Sequence, residues 1–115
     1  MKLEYFNISE FDCTHTGENR MDPAFLKKLD YLRKVSGFTF VVTSGYRSPQ
    51  HPIEANKDVP GRHSQGIAAD IRITDAAQRY TIIKNALALG FTGVGVAGDF
   101  VHVDTRDSDA VMWVY

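Results

Sequence analysis

His63-Ser64-Gln65-Gly66-Ile67-Ala68-Ala69-Asp70-Ile71-Arg72-Ile73 organises the rest of the chain. Gly66 permits a sharp turn, and the residues after it alternate in the manner of a strand. Ile67, Ala69, Ile71 and Ile73 fall on one side, and Ala68, Asp70 and Arg72 on the other. The apolar set belongs to a core. Asp70 then projects from the opposite face, beside small alanines that leave room around it. Asp99-Phe100-Val101-His102-Val103-Asp104 repeats the pattern. Here Val101 and Val103 face one way, and Phe100, His102 and Asp104 face the other. Paired side by side, the two strands would bring Asp70 and His102 together. His63 could fold back over them from the loop that it ends.

That loop runs from Ser44 to Gly66 and holds Pro49, Pro52 and Pro60. Connections of this length in small domains usually carry function. Upstream, Asp22-Pro23 opens a helix: Asp22 can cap the free N–H groups and Pro23 suits the first helical position. Phe25, Leu26, Leu29, Leu32 and Val35 share its apolar face, and Gly37 is the natural stop. Thr39 to Thr43 is rich in strand formers. A second helix is expected from Thr74 or Asp75 to about Leu89, capped by Gly90, with Tyr80, Ile83, Ala86 and Leu87 as its apolar side. Val94–Val96 and Phe100–Asp104 read as a hairpin turning through Ala97-Gly98-Asp99, and Val111–Tyr115 as a last strand. The expectation is one α+β domain over residues 1–115, with two main helices and a small, mostly antiparallel sheet.

Composition narrows the function. The chain has 115 residues, 43% hydrophobic and 23% charged, as expected of an ordinary globular domain. Thirteen Lys and Arg against fourteen Asp and Glu give a net charge of -1. No basic field is available for nucleic acid or an anionic membrane surface, so neither is expected as a partner. Cys13 is the one cysteine. Intramolecular disulfides and structural zinc sites of four cysteines, or of two cysteines and two histidines, are excluded. The segment MKLEYFNISEFD lacks an apolar core and carries acids early, so it does not read as a secretory signal. No stretch approaches the roughly 18 apolar residues of a membrane helix. Synthesis in the cytoplasm and a monomeric chain are the expectations.

His63, Asp70 and His102 offer two imidazoles and one carboxylate. That set suits a catalytic zinc, with the fourth position left for water. The same residues also have a plainer reading. A histidine on a strand is commonly structural, and an aspartate at a strand end is commonly a cap or an ion-pair partner. Spacing leaves both open. His15 and His51 read as structural or exposed, and Cys13 as a small buried hydrophobe.

Three motifs in order extend the reading: Ser44-Gly45-Tyr46-Arg47-Ser48, then His63-x-x-Gly66-x-Ala68-x-Asp70, then Phe100-Val101-His102-Val103-Asp104. Together they resemble the zinc D-Ala-D-Ala carboxypeptidases, above all the small single-domain members, many of them phage-encoded. The resemblance runs from about Phe6 to Tyr115. It implies the α+β fold shared with Hedgehog signalling domains, and a peptidase acting on peptidoglycan stem peptides as carboxypeptidase or endopeptidase. By position, it makes His63, Asp70 and His102 the Zn2+ ligands. It makes Asp99 the general base, and Arg47 the residue that steadies the scissile carbonyl or the substrate carboxylate. Asp104 would orient a ligand or Arg47. Gly61 departs from the pattern, since the family often has a substrate-contacting serine there.

The competing reading is a non-catalytic zinc-containing binding or virion structural module of the same fold. Asp99 separates the two, because a binding module has no need of an acid at that position. The resemblance also implies action on a host cell wall after cytoplasmic synthesis, or carriage in a virion.

Overall fold

Local signals fix the ends of both helices. In α1, Pro23–Ser36, the Asp22 carboxylate accepts the Phe25 N–H at 3.0 Å, and Gly37 ends the helix in the left-handed conformation at φ 80°. In α2, Ala76–Ala88, Asp75 accepts the Gln78 N–H at 2.7 Å. Leu89 closes α2, and Gly90 follows it at φ 82°. The computed structural model describes residues 1–57 and 59–115; residue 58, inside the Ser44–Gly66 loop, lies outside the described residues. A short 3-10 helix, Ile8–Phe11, precedes α1.

The strands are β1 Val42–Ser44, β2 Ala68–Arg72, β3 Gly93–Val96, β4 Phe100–Asp104 and β5 Val111–Val114. They form one sheet in the order β1-β2-β4-β3-β5. Every pairing is antiparallel except β3 with β5, which is parallel. The architecture is therefore α+β with two main helices and a mostly antiparallel sheet, as the sequence led us to expect. Ala69, Ile71, Val94, Val101 and Val103 from the sheet join Phe25, Leu26, Leu29 and Leu32 from α1, and Ile82 and Ala86 from α2, in one core. Alternation then commits the other face of β2 and β4 to Asp70, His102 and Asp104.

Three expectations at the edges of this core are corrected. Tyr80 and Leu87 of α2 are exposed, at 68% and 52%, whereas Ala86 is buried and Ile83 packs against the core as expected, with Ile82 buried beside them. Apolar residues occur around much of α2, so periodicity did not fix which side turns inward. Each residue rotates the helix by about 100°, and a shift of one or two positions exchanges the faces. Val35, in the last turn of α1, is 43% exposed, one turn beyond the buried Leu32. In the run Thr39–Thr43 the strand begins only at Val42, with the Val41 carbonyl accepting the Arg72 N–H at 2.9 Å just before it, and the register with β2 shifts between Val42 and Ser44. Phe40 instead joins the core.

Candidate metal centre

One row of the sheet carries the site. Asp70 on β2 pairs with His102 on β4, His102 with Gly95 on β3, and Gly95 with Trp113 on β5. Because Gly95 has no side chain, the Trp113 ring leans across it to within 5.1 Å of the His102 ring. A Cβ at Gly95 would lie 2.9 Å from Trp113 side-chain atoms. His63 comes from the loop. Gly66 makes the turn at φ 77°, and its carbonyl accepts the Asp22 N–H at 2.9 Å, tying the loop to the start of α1. The Arg47 N–H donates to the His63 carbonyl at 3.3 Å, and the Ser64 hydroxyl donates to the Arg47 carbonyl at 2.6 Å. His63, Asp70 and His102 are all buried.

The nitrogens of these imidazoles are already assigned by their outer partners. His63 Nδ1 lies 2.8 Å from the Gly45 carbonyl, which can only accept, so the proton sits on Nδ1. Nε2 of neutral His63 then turns a lone pair toward Asp70 Oδ1, 3.3 Å away. His102 Nε2 donates to Asp104 Oδ2 at 2.7 Å, and its Nδ1 lies 3.0 Å from the same Asp70 Oδ1. Two lone pairs and a carboxylate oxygen converge on one point and require a cation between them, either a proton or a metal ion. One ligand atom from each residue lies within 4.8 Å of the others, so the three can hold one metal ion. The donor set, two imidazoles and one carboxylate, fits zinc.

The environment of Asp104 explains how His102 is held. Asp104 is fully buried, and Arg106 meets it with three bonds, its backbone N–H to Oδ1 at 3.1 Å, Nε to Oδ1 at 2.9 Å and Nη2 to Oδ2 at 2.7 Å. The Arg106 guanidinium in turn lies 5.0 Å from the Trp113 ring. Burial raises the Asp104 pKa, but hydrogen bonds from His102 and Arg106 outweigh it and hold the carboxyl well below the usual range. A carboxylate on the far nitrogen of a metal-ligating histidine fixes its tautomer and ring orientation. Asp104 does this for His102, and its cation partner is Arg106, where the sequence had also allowed Arg47.

The peptidase M15 family model matches residues 4–104. The chain belongs to the peptidase M15 family. The match takes in His63, Asp70, His102 and Asp104 and ends before β5. Comparison with curated proteins finds no match. Among the described residues, no helix is long and apolar enough to cross a membrane.

Other residues of this M15 peptidase fall into place around the centre. Arg47 is 18% exposed and lies between two carboxylates, with Nη2 3.8 Å from Asp70 Oδ2 and Nη1 4.0 Å from Glu54 Oε2. Asp70 thus turns Oδ1 toward the histidines and Oδ2 toward Arg47. Asp99 is exposed in the turn before β4. The pairing of β2 with β4 runs unbroken to the Asp99 carbonyl, which accepts the Ile73 N–H at 3.0 Å. Alternation along that ladder keeps Asp99 on the side away from His102. His15 is exposed, Cys13 is buried, and the His15 and His51 rings lie 5.7 Å apart.

Sequence reasoning missed Glu54, Arg106, Gly93 and Gly95. Arg106 was findable as the next cation along from a strand acid that must be buried. Gly93 and Gly95 alternate on β3 and leave the space that Asp104 and Trp113 occupy. Gly93→Ala puts a methyl group into the volume of the Asp104 carboxylate. It is expected to lower stability by about 1–3 kcal/mol and to weaken metal binding, read by denaturant melts and zinc titration. Unchanged stability together with unchanged affinity would show that Asp104 moves freely.

Protonation of His102 makes a further expectation. Burial lowers its pKa, but hydrogen bonds to Asp104 and Asp70 outweigh burial and raise it above the ordinary value. A raised folded-state pKa stabilises the fold below the unfolded value of about 6.5 and is lost as pH rises through the folded one. In chelated protein the melting temperature should therefore fall as pH rises above about 6.5. Zinc-loaded protein should not show this fall, since the metal replaces the proton. Parallel calorimetric profiles for the two forms would contradict this.

Proposed function

We propose that this M15 peptidase is a zinc enzyme that hydrolyses peptidoglycan stem peptides, as a D-Ala-D-Ala carboxypeptidase or a related endopeptidase. The convergence of His63 Nε2, His102 Nδ1 and Asp70 Oδ1 carries the reading, with Arg47 directly beside it. When bound, zinc supplies Lewis acidity, which polarises a carbonyl and acidifies water into the neutral range. Asp104, fixed by Arg106, holds the His102 ring in register. Arg47 presents a guanidinium suited to the scissile carbonyl as its oxygen gains charge, or to a substrate carboxylate. The Trp113 ring packs against the His102 ring, with centroids 5.1 Å apart.

The base role of Asp99 rests on the motif and requires the turn at Gly98 to break the strand alternation and swing its carboxylate to the His102 side. Asp104 is committed to Arg106 and His102, and Glu54 to Lys57 and Gly61. On the motif's assignment, Asp99→Asn keeps its zinc and loses at least about 10²-fold in turnover. Hydrolysis at the wild-type rate would assign Asp99 to the turn.

The proposal is tested with purified sacculi and with stem peptides ending in D-Ala-D-Ala. Each is incubated with protein plus zinc or plus a chelator, and products are identified by mass. Zinc-dependent release of D-Ala, or a cut at another stem bond, is the expected result and names the bond. Stoichiometric zinc without any cleavage would overturn the enzyme reading in favour of a binding module.

A further inference from the structure

We propose that Glu54 is a positioning residue that anchors the Arg47 guanidinium beside the metal ligands. This rests on the functional reading just given. The Glu54 side chain is 2% exposed, although it sits in the long loop rather than in the sheet or a helix. A buried carboxylate is costly unless paired. Lys57 Nζ donates to Oε2 at 2.7 Å, and the Gly61 N–H donates to Oε1 at 3.0 Å. These contacts suffice to satisfy a single carboxylate. Yet a second cation, Arg47, also stands 4.0 Å from Oε2.

Charge bookkeeping shows what the second cation does there. Arg47 faces Glu54 on one side and Asp70 on the other, at 4.0 and 3.8 Å. A metal ion in the ligand set takes up the charge of Asp70. Glu54 is then the remaining anion that holds the guanidinium in place. Arg47 and Lys57 against Glu54 leave one net positive charge, which suits an anionic group on the substrate or a developing oxyanion. Gly61 fits the same arrangement. A Cβ there would lie 3.2 and 3.3 Å from the two Glu54 oxygens and 2.9 Å from Lys57 Nζ, so a side chain at 61 would require both groups to shift slightly. Held this way, Glu54 remains ionised: burial raises its pKa, but Lys57, Gly61 and Ser64 bring it down to about 2.

The test is a double-mutant cycle on zinc-loaded, full-length protein, using Glu54→Gln, Arg47→Met and the double variant. Zinc content, kcat and KM on a stem peptide are measured for each. Glu54→Gln is expected to keep its zinc and lose about tenfold or more in kcat/KM, because a displacement near 1 Å is already costly. The same change in the Arg47→Met background should cost nothing further. Losses that multiply, or wild-type kcat/KM in Glu54→Gln, overturn the proposal. Because Glu54→Gln also removes a buried charge, Glu54→Asp is measured beside it; the charge stays but the reach shortens, and an intermediate loss is expected. An activity-free arm separates this proposal from the functional reading. Arg47 labelling by phenylglyoxal, mapped by mass, should be faster in Glu54→Gln and Glu54→Asp than in wild type. Equal labelling rates overturn the anchor even if the wild type cuts no stem peptide.

Discussion

His102→Ala is expected to abolish stoichiometric zinc binding and, with it, hydrolysis. His102 is 4% exposed and lies between Asp70 and Asp104 at 3.0 and 2.7 Å. Removing it takes away one of the three candidate ligands and one partner from each of two buried carboxylates, Asp70 and Asp104. Residues that merely orient a ligand typically cost 10–100-fold in metal affinity when changed. Asp104→Asn should fall in that range, and His102→Ala beyond it. Isothermal titration with zinc and a hydrolysis assay on the same preparations establish the order. The lost imidazole also leaves a cavity, so His102→Gln, closer in size, serves as the folding control. A folded His102→Ala or His102→Gln protein that binds zinc as tightly as wild type would remove His102 from the centre.

Arg47→Ala should retain zinc and the fold while losing about 10²–10³-fold in turnover, the usual consequence of removing one donor to a developing oxyanion. Arg47 contacts both carboxylates at the long end of ion-pair range, 3.8 and 4.0 Å. Neither bond has the short geometry of the Asp104–Arg106 pair, which is built for stability. A guanidinium positioned between two anions beside a metal site, with no short bond to either, keeps its donors available to a third, incoming one. Melting temperature and specific activity are measured together. A large drop in melting temperature with full activity per folded molecule would make Arg47 a structural ion pair. If Arg47 acts on a substrate carboxylate rather than on the scissile carbonyl, the loss appears mainly in KM.

The limits of the sequence are physical. Alternation is local, since each side chain of a strand points opposite to its neighbour. Asp70 and His102 could therefore be assigned to the outer face, and Ile71, Val101 and Val103 to the core, without tertiary information. Helix ends are local too, and Asp22-Pro23, Gly37 and Asp75 marked theirs. Strand pairing is not local. That Asp70 lies opposite His102, and that β5 adds in parallel beside β3 so that Trp113 crosses Gly95, emerged only from the assembled sheet. The rotation of α2, which buries Ile82 and exposes Tyr80, was settled by packing, because its sequence offers more than one apolar side. The burial of Glu54 is the furthest from any local signal. A glutamate in a proline-rich loop reads as solvated, and only the folded chain brings Lys57, Gly61 and Arg47 around it and makes burying a charge tolerable.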